Sequence, residues 1–303
     1  MKAFLLFMTA QSMAEPVIAT GGTGRPTVRK RVRVRKHGTA RRLLIALLLI
    51  ASVSLCRHSV AQESTGWGSL KGRLVFDWLL PEPQTLEITR DEAVCGDLGL
   101  VDESLVVNPQ NLGIRYAVIW LESRQPVPVH PLDETFPEQH PVLDNHKCRF
   151  EPRLLAVRRD QSLGISNSDS IAHNAAVYAR RNQPFNEVIA PGQVVMKSFP
   201  RPETQPIRVD CSIHAWMKAW IVVTDHPFVA ITDQNGDFQI PRIPPGNWKF
   251  RFWHERPGYL RQLTQEQRPV PMEKGVWTLT IDADSELDLK ELRAAADQFA
   301  LKK

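Results

Sequence analysis

Apolar positions along the chain fall in short runs separated by prolines and polar turns, a pattern of strands rather than long helices. Leu70 to Phe76 (LKGRLVF) alternates as a half-buried strand, and Pro81 and Pro83 follow it. Thr85 to Ile88 predicts a short strand, Val94-Cys95-Gly96 a turn, and Leu105 to Val107 another strand. Tyr116 to Leu121 (YAVIWL) is unbroken enough to be buried on both faces. Arg153 to Val157 and Ser162 to Ile165 flank Arg159-Asp160-Gln161 and predict a hairpin leading to His173. Ala175 to Tyr178 is a strand, Phe185 to Gly192 a loop, and Val194 to Phe199, Pro206 to Val209 and Lys218 to Val223 are strands. Val276 to Ile281 closes the series. Ser285 to Leu301, with Leu287, Leu289, Leu292, Ala295, Ala296 and Phe299, predicts a C-terminal helix with Ser285 as its N-cap. The fold class is therefore all-β, a Greek-key sandwich followed by further strands and that terminal helix.

The strand leading into Cys211 and the strand leaving Met217 enclose DCSIHAWM, Asp210 to Met217, where Cys211, His214 and Met217 recur at every third position. One short loop thus offers a thiolate, an imidazole and a thioether. The upstream segment NSDSIAHN, Asn167 to Asn174, offers a second imidazole, His173. Two His and one Cys around a metal with a weak Met is the donor set of a one-electron copper centre.

These segments resemble the blue copper (cupredoxin) family, in which an N-x5-H-N stretch and a Cys-His-Met loop supply the ligands. Asn167 and His173-Asn174 match the first, and C-x2-H-x2-M matches the short amicyanin-type loop. CRFEP, PFNEVIAPGQ and DCSIHAWMKAWIVVTDHPF are also similar to bacterial methylamine-utilization or plastocyanin-like proteins, over Leu70 to His254. The resemblance implies one type 1 copper held by His173, Cys211, His214 and Met217. It implies that Asn174 and Asn167 support the ligand loops. It also implies that the edge of His214, with Trp216 and Ala215 beside it, reaches the surface as the electron port. The partner so implied is a redox protein such as a c-type cytochrome or a dehydrogenase. The loop departs from the amicyanin type in having no Pro around His214.

FVAITDQNGDFQIPRIPPGNWKFRFWH, Phe228 to His254, resembles the edge of carboxypeptidase regulatory-like, prealbumin-type sandwiches. This implies a discontinuous second sandwich, residues 66–124 and 227–283, with the copper domain, 125–226, inserted between its halves and the helix at 284–303. The alternative assigns Tyr116 to Leu121 to the copper domain.

Charge changes the picture at the N-terminus. Eleven of the 38 basic residues precede position 62, against Glu15 alone, so 27 basic and 32 acidic residues remain in the rest. The net +5 therefore does not point to nucleic acid. RKRVRVRK, then Arg41-Arg42, the apolar run Leu43 to Leu55 and Ser59-Val60-Ala61 predict a leader over 1–61 cleaved after Ala61, giving a periplasmic or secreted protein. An uncleaved leader acting as a membrane anchor is the alternative. Cleavage leaves Cys95, Cys148 and Cys211; the simplest pairing is Cys95 with Cys148, which frees Cys211 for metal, and the competing pairing consumes Cys211.

No Ser-His-Asp arrangement, phosphate loop or paired-carboxylate motif stands out, and no HxH pairs mark a second copper cluster, so the chain is not expected to be an enzyme. The competing function is a copper-free cupredoxin-like module that binds or supports at the cell surface.

Overall fold

The computed structural model describes residues 66–299; the leader expected at 1–61, with Cys56, lies outside them. The class is all-β, as the short apolar runs predict. Two pairs of sheets each enclose a core.

In the first pair, Gly68–Asp77 lies between Asp237–Ile243, antiparallel, and Glu286–Ala295, parallel. Facing it is a sheet in which Gly246–His254 joins Val118–Glu122 on one side and Val276–Ile281 on the other. Leu70, Leu74, Phe76, Ile119, Phe250 and Leu292 fill the space between. In the second pair, the sheet order is Phe185–Ile189, His173–Val177, Ile207–Asp210, Lys218–Thr224 and Leu154–Arg158. The opposing sheet runs Val194–Lys197, Leu163–Asn167, Val142–His146, Arg149–Glu151. Leu143, Ile165, Val177, Val209 and Ile221 are buried between them together with Cys211 and Met217.

Strand Val118–Glu122 shows why YAVIWL carries no polar alternation. Ile119 and Leu121 face the first core, while Val118 and Trp120 pack on Leu154, Val222 and Trp253. That second contact joins the two sheet pairs through apolar outer faces. Arg153, beside it, makes a buried two-pronged ion pair with Glu255, 2.8 Å at the shortest.

Several local expectations are corrected. The terminal helix is a strand, Glu286–Ala295, followed by a 3-10 turn, Ala296–Phe299. Its helical spacing, Leu289 to Leu292, arises from a bulge: Lys71 and Arg73 pair with Asp288 and Glu291, and Lys290 has φ 54. One extra residue there moves the alternation on by a step, which in a sequence is indistinguishable from a helical i, i+3 pair. Ser285 caps nothing helical; its hydroxyl donates to the Asp282 carbonyl.

The expected hairpin about Arg159-Asp160-Gln161 is instead a crossing between layers. Leu154–Arg158 pairs in parallel with Lys218–Thr224, whereas Leu163–Asn167 belongs to the opposing sheet. Both strands satisfy their backbone groups laterally with distant partners, so the tight loop arches across the core. Finally, Phe185–Ile189 is an edge strand rather than a loop, and Glu92–Cys95 is one helical turn.

Candidate metal centre

The hairpin Ile207–Asp210 with Lys218–Thr224 pairs Asp210 with Lys218, which leaves Cys211 to Met217 as its loop. The loop is closed at its ends, the Cys211 N–H donating to the Met217 carbonyl at 3.2 Å, and at its middle, the Met217 N–H donating to the His214 carbonyl at 3.0 Å. Cys211, His214 and Met217 are therefore folded inward by the backbone itself, each at most 1% exposed. Cys211 is a free thiol, and the His214 N–H donates to its sulfur at 3.4 Å.

His173 is brought in by sheet register. Its strand pairs antiparallel with Ile207–Asp210 so that Ala176 lies opposite Asp210, and the residues before Ala176, back to His173, run beside those that follow Asp210 into the loop. Asn174 fastens that edge. Its Oδ1 accepts from the Ser212 and Ile213 N–H groups at 2.8 and 3.2 Å and lies 3.3 Å from the Cys211 sulfur, while its Nδ2 donates to Asn186 Oδ1. Asn167 holds the preceding turn, its Nδ2 donating to the carbonyls of Ile171 and Ile189, both at 2.8 Å.

His173 Nδ1 is 2.9 Å from His214 Nδ1, and Cys211 Sγ is 3.7 Å from the latter. The three ligand atoms all lie within 4.8 Å of one another. Donor atoms about 2.0–2.3 Å from a shared ion are separated by no more than about twice that. Each imidazole also presents its Nε2 to a carboxylate: His173 to Asp169 Oδ2 at 2.9 Å, His214 to Asp91 Oδ2 at 2.8 Å. An ionised carboxylate accepts only, so each Nε2 is assigned as the donor, and both Nδ1 atoms are turned inward beside the sulfur. Burial, the largest influence, pushes His173 below the ordinary imidazole range, against the opposing pull of Asp169, which keeps it in the neutral, ligating form. Two imidazole nitrogens and a sulfur converging in a buried pocket suit a cation of intermediate softness. The donor set fits copper.

The two carboxylates were not singled out from the sequence. Asp169 sits inside NSDSIAHN, two residues after Asn167, whose Oδ1 accepts its N–H at 3.0 Å; that Asx turn was the available signal. Asp91 had none, since its contact with His214 spans 123 residues.

The electron-port expectation needs correction on the same ground. His214 is fully buried, its outer edge covered by Asp91, so it does not reach the surface. Trp216 is half-buried, its ring 5.1 Å from that of His214 and its Nε1 donating to the Cys148 carbonyl at 3.0 Å; Ala215 is exposed. Cys95 and Cys148 form a disulfide. With Trp216 and Met217, a cleft of about 340 Å³ opens beside the centre. Of the basic residues lining it, Arg149, Arg153, Arg208 and Arg256 are paired with carboxylates.

No protein-family model and no curated protein sequence matches this chain. Among solved structures it is similar to a copper-containing nitrite reductase from Thermus scotoductus, at 23% identity and TM-score 0.27, over 33% of this chain and 25% of that one. It is similar to a purple cupredoxin from Nitrosopumilus maritimus, 18% identical at TM-score 0.24, over 28% of this chain and 99% of that one. Amicyanin from Paracoccus versutus is 17% identical at TM-score 0.26, over 35% of this chain and 96% of that one. These neighbours are cupredoxins, and each overlaps about a third of this chain.

Proposed function

We propose that the chain is a one-electron carrier holding a single copper ion through His173, Cys211 and His214, with Met217 as the weak fourth ligand. The observation that carries this reading is the pair of Nδ1 atoms turned inward beside Cys211 by outward hydrogen bonds to Asp91 and Asp169. A thioether at the end of the same loop suits copper better than zinc, whose structural sites take thiolates and imidazoles. Bound copper would supply reversible Cu(I)/Cu(II) exchange. The protein's part is to hold the ligands still. The His214 N–H and Asn174 lie against the sulfur, both imidazoles are fixed through Nε2, and the loop is closed backbone to backbone, so little has to move when an electron arrives.

On this reading the chain is exported through its basic and apolar leader and exchanges electrons with a redox protein such as a c-type cytochrome or a dehydrogenase. The strands flanking the copper-binding part form a regulatory-like sandwich, and with four protein ligands no position is left open for a substrate.

The test is the visible spectrum of the purified chain with one equivalent of Cu(II). An intense thiolate-to-copper absorption, absent in Cys211→Ser, is expected. A wild-type chain that takes up copper and stays colourless under oxidising conditions overturns the reading.

A further inference from the structure

We infer that Asp91 is a positioning residue of this centre: carried on a strap latched by the Cys95–Cys148 disulfide, it accepts the Nε2 proton of His214, shuts that imidazole off from solvent and sets the donor strength of its Nδ1. The inference rests on the copper reading for its electronic part only; the contact and the closure are properties of the metal-free chain.

The strap is a loop closed on itself. The Leu86 N–H donates to the Leu100 carbonyl at 2.9 Å and the Asp102 N–H to the Gln84 carbonyl at 2.7 Å, with Thr85 bridged to Val101. At its tip stands the single turn Glu92–Cys95, and Cys95 is bonded to Cys148. Leu86, Ile88 and Leu100 pack around the disulfide together with Ile171 and Trp216, so the strap rests on the ligand loop itself.

Asp91 departs from its local setting in order to reach the histidine. It adopts φ 48, ψ 41, the left-handed region that side chains other than Gly, Asn and Asp seldom enter. It occupies the N-cap position of Glu92–Cys95 yet makes no capping hydrogen bond. An N-cap aspartate normally turns back to its own helix. Here the carboxylate is given instead to an imidazole on a distant loop. Its side chain is 40% exposed and that of His214 not at all, so Asp91 is the layer between the ring and water.

The disulfide also serves the other imidazole. The Cys148 N–H donates at 2.8 Å to Asp169 Oδ2, the same oxygen that accepts from His173 Nε2. Both imidazole–carboxylate contacts are thus anchored on one covalent link. A carboxylate accepting from a ligand imidazole raises that ligand's basicity. Greater basicity favours the more highly charged Cu(II) over Cu(I), so Asp91 lowers the reduction potential.

Asp91→Asn retains the shape, the tolerance of positive φ and an acceptor oxygen while removing the charge; Asp91→Gly removes the cover and keeps the backbone conformation. Both are made in the full chain. In the metal-free protein, the ring N–H of His214 followed by NMR is expected to exchange slowly in the wild type and to be lost to exchange in Asp91→Gly. With copper bound, the midpoint potential is expected to shift positive in Asp91→Asn while the charge-transfer absorption is retained. Equal ring-proton exchange in wild type and Asp91→Gly overturns the closure. An unchanged potential in a blue Asp91→Asn protein overturns the electronic role and leaves the copper reading standing. A wild type that never turns blue but shows the protected ring proton removes the copper reading, and with it the electronic role, while upholding the cover.

Discussion

His173 and His214 stand 41 residues apart in the chain, yet their Nδ1 atoms lie 2.9 Å from each other. Each ring is pinned from behind by an aspartate, so neither can turn away without leaving a carboxylate or a ring N–H unpaired. Both ring nitrogens are thereby held at one point beside Cys211, an arrangement that a cation can bridge.

Copper should therefore stabilise the folded chain. A ligand that binds only the native state at a hundredfold excess over its dissociation constant contributes about 2.7 kcal/mol. For a domain of this size that raises the unfolding midpoint by about 5–10 °C. Thermal unfolding with and without Cu(II) should show the rise in the wild type and its absence in Cys211→Ser and His173→Ala. An equal rise in all three would mean that copper binds elsewhere.

Asn174→Ala removes the acceptor for two loop N–H groups and the contact with Cys211. Ser212 is exposed and Ile213 half-exposed, so water replaces part of the loss. A destabilisation of about 1–3 kcal/mol is expected from chemical denaturation, with faster loss of copper to a chelator. A neutral effect on both would show that the ligand loop holds itself.

The Cys95–Cys148 link closes 53 residues. In the chain-entropy picture its removal costs about 4 kcal/mol. Denaturant midpoints of Cys95→Ser/Cys148→Ser against wild type check the figure, and the same variant should expose the His214 ring N–H to exchange. A variant as stable as wild type would contradict the first expectation, and a still-protected ring proton the second.

Acid should destabilise the metal-free chain well before carboxylates titrate. His254 is buried, and burial first, then the charges of Arg153 and Arg256, hold it down from 6.5 to about 3. Burial also lowers His226. Below about 6.5 the unfolded chain takes up a proton at His254 that the folded chain refuses, so stability is complete above that pH and is lost as pH falls toward 3. Urea midpoints should drop between pH 7.5 and 4.5, by an equivalent of a few kcal/mol, and the drop should shrink in His254→Gln. A midpoint that holds steady across this range would sink the expectation.

What the sequence determined by itself is local. Strand runs show in alternation, a doubly buried strand in YAVIWL, and the inward loop in the three-residue spacing of Cys211, His214 and Met217, because a short closed hairpin loop leaves few ways to orient its side chains. Cys95–Cys148 was the simpler of two pairings that the sequence left open, and the fold decides for it.

Tertiary structure alone decided the rest. A bulge at Lys290 turned a helix-like pattern into a strand, because the parallel partner Gly68–Asp77 supplies the hydrogen bonds that a lone helix would have made for itself. A disulfide-latched strap placed Asp91 over His214 and closed the expected port, because a contact across 123 residues depends on how sheets and loops stack in space, and spacing along the chain carries no trace of it.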